Sequence, residues 1–460
     1  MAHEFLRNQL RGELLEPGHA SYDATRVIWN GMIDRRPALI ARCRTAADVV
    51  ACVNYARSND IIVTVRSGGH NVAGYAVCDD GLMIDLSQMN SVRVSPDLDR
   101  SYVQGGATWA DVDAATTPFD RATPGGLISA TGVAGLTLSG GIGWLRGTRG
   151  LSCDNLKAAD VVTAEGRLIH TSSTENSDLL WAIKGGGGNF GIVVDFEFQL
   201  HPIAPEMMFC APAYREEQAN DILPKWRDFM ASAPDEVTGL AEFSTIPNDP
   251  SYPQETWGKR VLALATVYDG PADHGERIMQ PLREFDEPLL DFSGRMPYRA
   301  LQTLYDGLFP KGRDRCYWKS TYLKNLDSKT IQMITEILTK RPSEMTFASI
   351  WKFGGAVQRI AAETTAFGDR SMPFMLSIDA IWSSAADDNS NMQWVRTFWT
   401  GMQPLSTGRM YLNFPGLGEG DNLVSNAFGP EAYSRLQKIK NKYDPKNLFR
   451  MNQNIMPKDS

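Results

Sequence analysis

Residues 177–200 read SDLLWAIKGGGGNFGIVVDFEFQL, and the order of elements in this stretch decides the fold. Gly186-Gly187-Gly188-Asn189-Phe190-Gly191 formally satisfies G-x-G-x-x-G, the fingerprint of a dinucleotide-binding βαβ unit. In such a unit a strand enters the glycines and a helix leaves them, because the pyrophosphate rests on the helix N-terminus. Here the order is reversed. SDLLWAIK reads as a short capped helix, and the glycines open into GIVVDFEFQL, a long strand ending at His201-Pro202. The motif therefore argues against a nicotinamide dinucleotide and for an α+β arrangement in which the glycines serve something else.

Upstream, AADVVTAEGRLIHTS (158–172) is two β-type runs joined by Ala-Glu-Gly, a hairpin. TAADVVACVNYARS (46–59) carries helical spacing behind a Thr cap, and IIVTV (61–65) reads as a buried strand that runs out into RSGGHN (66–71). GLMIDLS (81–87), SYVQGG and TWADVDAA add two strands and an amphipathic helix. Residues 36–204 thus form one α+β unit. From 205 to 407 the chain turns more aromatic and less glycine-rich, as in ETWGKRVLALATVYDG, TFASIWKFGG and MPFMLSIDAIWSS, which predicts a second domain of strands and helices. The tail, 408–457, holds a helix and a Pro-bounded extended segment.

At 460 residues the chain is long enough for two domains, and 43% hydrophobic with 22% charged residues is ordinary for a globular protein. A net charge of −8 and a pI near 5.4 disfavour nucleic acid and anionic membranes as partners, leaving a small molecule. No residue from Ala122 to Leu145 is charged, but seven glycines in that window make it a poor membrane helix. MAHEFLRNQL has no apolar secretory core, so a cytoplasmic location is expected. The six cysteines show no CxxC, which predicts reduced thiols and no metal site.

Three glycine clusters (68–69, 125–143, 185–191) sit in loops rich in Ser, Thr and Asn. Glycine lets backbone approach a ligand closely, and successive amides can cradle phosphates. Tight turns alone would explain any one cluster; three together suit a long phosphate-containing ligand such as FAD. His70, directly after Ser67-Gly68-Gly69, then acquires a role, since a neutral imidazole can attack the 8α-carbon of a flavin.

RSGGHN, SGGIGWLRGTRGLSCDNL (139–156), GGGGNFGIV (185–193) and the tail's YLNF with KYDPKNLFRMNQNI, in that order, resemble the berberine-bridge-enzyme-like FAD oxidases of the vanillyl-alcohol-oxidase superfamily. The resemblance covers about residues 36–204 and 408–457. It implies a PCMH-type FAD-binding domain, an inserted substrate domain with an antiparallel sheet flanked by helices, and a tail that returns to the flavin. It implies an 8α-histidyl FAD on His70, and only that bond, because Ile128 stands where some members place a second, cysteinyl link. Thr131 occupies the family's oxygen gate, where a Val-sized residue favours an oxidase over a dehydrogenase.

By the same resemblance, Arg66, Ser67, Gly68, Gly69 and Asn71 are expected to wrap the pyrophosphate. Gly132, Val133, Gly135, Gly140, Gly141 and Gly143 are expected to line the flavin. Asn155 and Ile192 fall beside the adenosine half, and Asn452 and Asn454 at the flavin edge. Tyr411, in Tyr-x-Asn, matches a substrate-facing tyrosine, base or orienter, with Asn413 holding it or the flavin. Plant relatives take an acidic base from the segment that here reads FGGAVQRIAAETTAF (353–367), which makes Glu363 a candidate beside Gln358. Trp318, Trp351 and Trp382 are candidate pocket walls. The expected reaction is hydride removal from an alcohol or amine carbon of a small aromatic or natural-product substrate, with electrons passing to O2 to give H2O2. Sugars and a non-oxygen acceptor are the alternatives, in a monomer or homodimer.

Overall fold

The computed structural model describes residues 2–417 and 421–458. Three main sheets organise them. The first has four strands in the order Glu13–Leu15, Leu39–Arg42, Leu82–Asp85, Val63–Arg66. Its last two pairings are parallel and its first is antiparallel. The helix Ala46–Asn59 makes the crossover, started by Thr45 and Asp48, which satisfy each other's backbone N–H groups in a capping box. The sequence-derived unit starting at residue 36 is thus completed from outside, because the edge strand Glu13–Leu15 lies upstream of it.

The second sheet is antiparallel, with the order Val92–Ser95, Arg100–Gln104, Ile192–Gln199, Leu156–Val162, Leu168–Ser172. The expected hairpin and the helix Ser177–Ile183 are both present. Ile192–Gln199 is antiparallel to both its neighbours, so the glycines before it do not belong to a βαβ unit.

The third sheet is antiparallel throughout and has nine strands; its central order is Arg260–Tyr268, Val237–Thr245, Phe347–Lys352, Phe374–Trp382, Arg315–Leu323. Strand side chains alternate between faces. Ala241, Phe243, Ile350, Leu376, Ile378 and Ala380 pack with Trp226, Ile331, Ile334 and Phe398 on the helix-covered face. Trp382 is buried in that same core, which removes it from the candidate pocket walls. The intervening residues Leu240, Glu242, Ser349, Trp351 and Asp379 face the other way, toward the first two sheets.

The tail closes the structure. Leu436, Ile439 and Tyr443 of the helix Pro430–Tyr443 pack with Trp181 and Phe190. Behind them the fully buried Lys440 ammonium donates to Asp444 (2.7 Å), Asn189 O (2.8 Å) and Phe449 O (3.0 Å). Asn189 Oδ1 accepts from Ile455 N (2.9 Å), so the glycine loop 185–191 is held by the chain's end.

Candidate active site

One long cleft runs between the three sheets. At one end its walls are Gly188, Gly191, Ile192, Phe449 and Asn452; in the middle are Ser67–Asn71 with Thr131, Gly132, Ala134 and Gly135; at the other end the large sheet presents Trp318, Trp351, Glu242 and Asp379.

RSGGHN leaves the strand Val63–Arg66 as expected, but Arg66 turns away from the cleft. Its guanidinium makes a two-pronged pair with Asp85 (3.1 and 2.5 Å) and also reaches Thr25 O, so it anchors the strand end rather than a phosphate. Beyond it the loop meets a second loop. A Cβ on Gly68 would lie 2.3 Å from Gly132 N, and one on Gly132 would lie 2.2 Å from Gly68 N. Only two glycines allow this approach. Among the described residues neither Ser67 Oγ, buried in the seam, nor Asn452 Oδ1, buried at the far end, has a hydrogen-bond partner.

His70 stacks on Trp29 with ring centroids 5.5 Å apart and planes 16° from parallel. Trp29 is fixed in turn, its N–H donating to Gly69 O (3.0 Å) and its indole N–H to Phe309 O (3.0 Å). Burial, and then the Lys311 ammonium, lower the imidazole's pKa to about 4. The ring is therefore neutral at physiological pH, with a lone pair free on one nitrogen.

Tyr411 is 3% exposed. Its hydroxyl accepts from Gly141 N (3.0 Å) and from Asn413 Nδ2 (2.8 Å), while Asn413 Nδ2 also donates to Leu136 O (3.0 Å). Burial pushes the phenol up to about 12, against the hydrogen bonding from Asn413 and the backbone at Gly141 and Ile142 that lowers it. With no Lys or Arg among the described lining residues, the phenol stays protonated. Its own O–H is the one bond left to give, which makes it a donor and orienter rather than a base.

The expected site residues divide accordingly. Ser67, Gly68, Gly69, His70, Asn71, Thr131, Gly132, Gly135, Ile192, Tyr411, Asn413 and Asn452 line the cleft, as do Ile128, Trp318 and Trp351. Other expected residues lie outside it. Val133 is fully buried and donates its N–H to Ala107 O (2.9 Å). Gly140 abuts the Phe367 ring, Gly141 abuts Ser152, and Gly143 crosses so close to Gly125 that a Cβ would lie 1.8 Å from its carbonyl oxygen. These three glycines serve the crossing of chain segments behind Tyr411. Asn155 donates to Arg149 O and Leu151 O (both 2.9 Å) and contacts His201 Nε2 (2.6 Å), which makes it a loop tie. Asn454 donates to Met456 Sδ (3.1 Å). Glu363 is exposed on a single turn, its backbone oxygen taking the Trp181 indole N–H (2.8 Å), so it is no candidate base. All six cysteines are free and buried.

Sequence reasoning missed Trp29, Glu242 and Asp379. The signal for the last two is a single carboxylate in an otherwise apolar alternating strand, GLAEF and LSIDAI. Burial and the neighbouring Asp379 raise Glu242 to about 8, and burial raises Asp379 to about 7.

The lining fits FAD: glycine loops bring backbone amides to a phosphate, and orphaned polar atoms stand in the walls, Ser67 Oγ and Asn452 Oδ1 among them. Comparison with known proteins agrees. Residues 37–172 match the model of an FAD binding domain and 410–456 that of the berberine and berberine-like family. The (R)-6-hydroxynicotine oxidase of Paenarthrobacter nicotinovorans is 30% identical over 98% of both chains. A crystal structure of 6-hydroxy-D-nicotine oxidase from Arthrobacter nicotinovorans, 29% identical, superposes over 98% of both chains with a TM-score of 0.87. The glucooligosaccharide oxidase of Acremonium strictum, whose FAD is described as 6-S-cysteinyl and 8α-N1-histidyl, shares the fold over the whole of both chains at 23% identity and a TM-score of 0.88.

Proposed function

The chain belongs to the berberine-like family of FAD-linked oxidases, and from that premise we propose that it carries FAD through one covalent bond, from His70, and oxidises an alcohol or amine carbon of a small aromatic substrate. The observation that carries this reading is the His70 imidazole, held neutral and stacked on Trp29 beside a glycine-walled seam. A neutral nitrogen is the nucleophile that attachment at the 8α-carbon requires, and the rigid Trp29 fixes the ring's orientation. Ile128 lines the cleft and offers no thiol for a second bond.

Bound FAD would supply a hydride acceptor for the substrate carbon and, reduced, an electron donor to O2, giving H2O2. The chain's own residues do the rest. Backbone amides of 67–71 with those of Gly132, Ala134 and Gly135 would hold the pyrophosphate without a cationic side chain, the Thr131 and Val133 amides being taken by Ile128 O and Ala107 O. The Tyr411 hydroxyl, pinned by Gly141 and Asn413, points a hydrogen-bond donor at the reacting region and so orients the substrate heteroatom. Trp318, Trp351, Tyr305 and Phe414 exclude water. Thr131, isosteric with valine, leaves space beside the flavin position for O2.

The test is anaerobic mixing with a panel of aromatic amines and alcohols, followed by admission of air. Bleaching of the flavin by at least one substrate, then prompt return of the colour with one H2O2 per turnover, is the expected result. Bleaching with slow return in air and fast return with a quinone would instead make the protein a dehydrogenase.

A further inference from the structure

Beyond the flavin chemistry, the large sheet builds a recognition site of its own. Ser349 stands opposite both Glu242 and Ser377 in the register, and Phe347 stands opposite Asp379. Because side chains alternate, Glu242, Ser349, Ser377 and Asp379 all project from one face, the face that lines the cleft. Ser377 Oγ donates to Asp379 Oδ2 (2.7 Å) and accepts from the Trp351 indole N–H (3.2 Å), which locks that oxygen in place. Asp379 is 8% exposed, and its second oxygen, Oδ1, has no hydrogen-bond partner among the described residues.

Two further features point to the same ligand. Among the described residues no basic group pairs with either carboxyl, and Glu242 and Asp379 are the only charged side chains lining the cleft. Around them stand Tyr305, Phe309, Trp318, Phe347, Trp351 and Phe414. Rings present a negative face to a cation, and buried carboxylates without a counter-ion gain most from one that arrives with the ligand.

We propose that Glu242 and Asp379 form the charge-selective end of the substrate pocket and that the substrate is an organic cation, an aromatic or apolar body bearing a protonated amine, rather than a neutral sugar or alcohol. This rests on the oxidase reading above and narrows it. The aromatic walls take the body, and the two carboxyls take the charge.

The sign of the pH effect follows. Both carboxyls are raised, so the pair is fully ionised only in mildly alkaline solution and loses charge as pH falls through about 8 and about 7. Tyr252, Tyr305 and Cys316, which feel these charges, are themselves raised and stay neutral over that range. Cation affinity therefore falls on acidification.

The experiment is calorimetry on the flavin-loaded protein with two probes of the same shape: benzyltrimethylammonium, whose charge is permanent, and neopentylbenzene, its neutral isostere. The cation is expected to bind at least about tenfold more tightly, and to lose about tenfold between about pH 9 and about pH 6 while the neutral probe does not change. Asp379→Asn and Glu242→Gln, each made separately so that a folding defect in one leaves the other informative, should each cost the cation about tenfold and spare the isostere. Equal binding of the two probes, or cation binding indifferent to both substitutions, would overturn the proposal. Flavin content and its covalent attachment, measured on the same samples, report separately on the oxidase reading, so the two can fail independently.

Discussion

Tyr411→Phe protein is expected to purify with its full complement of flavin and to reduce that flavin roughly 10²-fold more slowly than the parent, as loss of one well-placed donor in a dry site typically costs. The phenol's two accepted bonds, from Gly141 N and Asn413 Nδ2, fix its direction, and its proton is the only bond it has left to offer. Removing the oxygen leaves the Gly141 N–H without an acceptor, at a stability cost of about 1–3 kcal/mol. Asn413 keeps its bond to Leu136 O, so the site should not collapse. Stopped-flow reduction at saturating substrate gives the number. Because a phenol held near 12 does not titrate at working pH, the pH dependence of the rate should keep its shape in the variant. A reduction rate within threefold of the parent would remove Tyr411 from the reaction, and a rate profile that loses its alkaline limb would make it a base after all.

The other large effect is expected at Gly68. An added methyl meets Gly132 N at 2.3 Å and Gly132 Cα at 2.7 Å, both backbone atoms of a loop tied by Trp109 N to Thr131 O and Val133 N to Ala107 O. Neither side can yield by rotating a side chain. Gly68→Ala must therefore part the two loops that form the middle of the cofactor cleft, and flavin per protein should fall at least about tenfold. The sheets behind the loops are not touched, so far-ultraviolet circular dichroism should match the parent. Comparing flavin and protein absorbance across one preparation is enough, and a fully yellow Gly68→Ala protein would show that the seam is looser than the structure has it.

Much of the fold was legible because local order was decisive. A helix before the glycines and a strand after them could not make a Rossmann turn, and Ile192–Gln199 pairs antiparallel on both edges. The place of His70 at a strand exit was legible, and it lines the cleft, but its proposed role came from the family resemblance and not from its position. What was missed depends on contacts far apart in sequence. Trp29 has no periodic context, and its meaning comes from stacking on His70 and packing against Phe309 and Trp318, residues far away in the chain. Arg66 has the look of a phosphate ligand until Asp85, on the neighbouring parallel strand, claims it. The resemblance placed Gly140, Gly141 and Gly143 at the flavin, but a glycine marks close approach without naming the partner, which here is Phe367, Ser152 and Gly125. Glu242 and Asp379 share a face only through the register of three strands drawn from distant parts of the chain, and the exposed Glu363 was chosen in their place from a segment whose register could not be fixed.

The most direct test of the account is to precipitate the purified protein with acid, wash the pellet, and ask whether flavin stays with the polypeptide, in parent and in His70→Ala. The account predicts a yellow parent pellet, with the flavin on the peptide containing residue 70 when that peptide is isolated, and a colourless His70→Ala pellet with FAD free in the supernatant. Free FAD released from a fully loaded parent would contradict it.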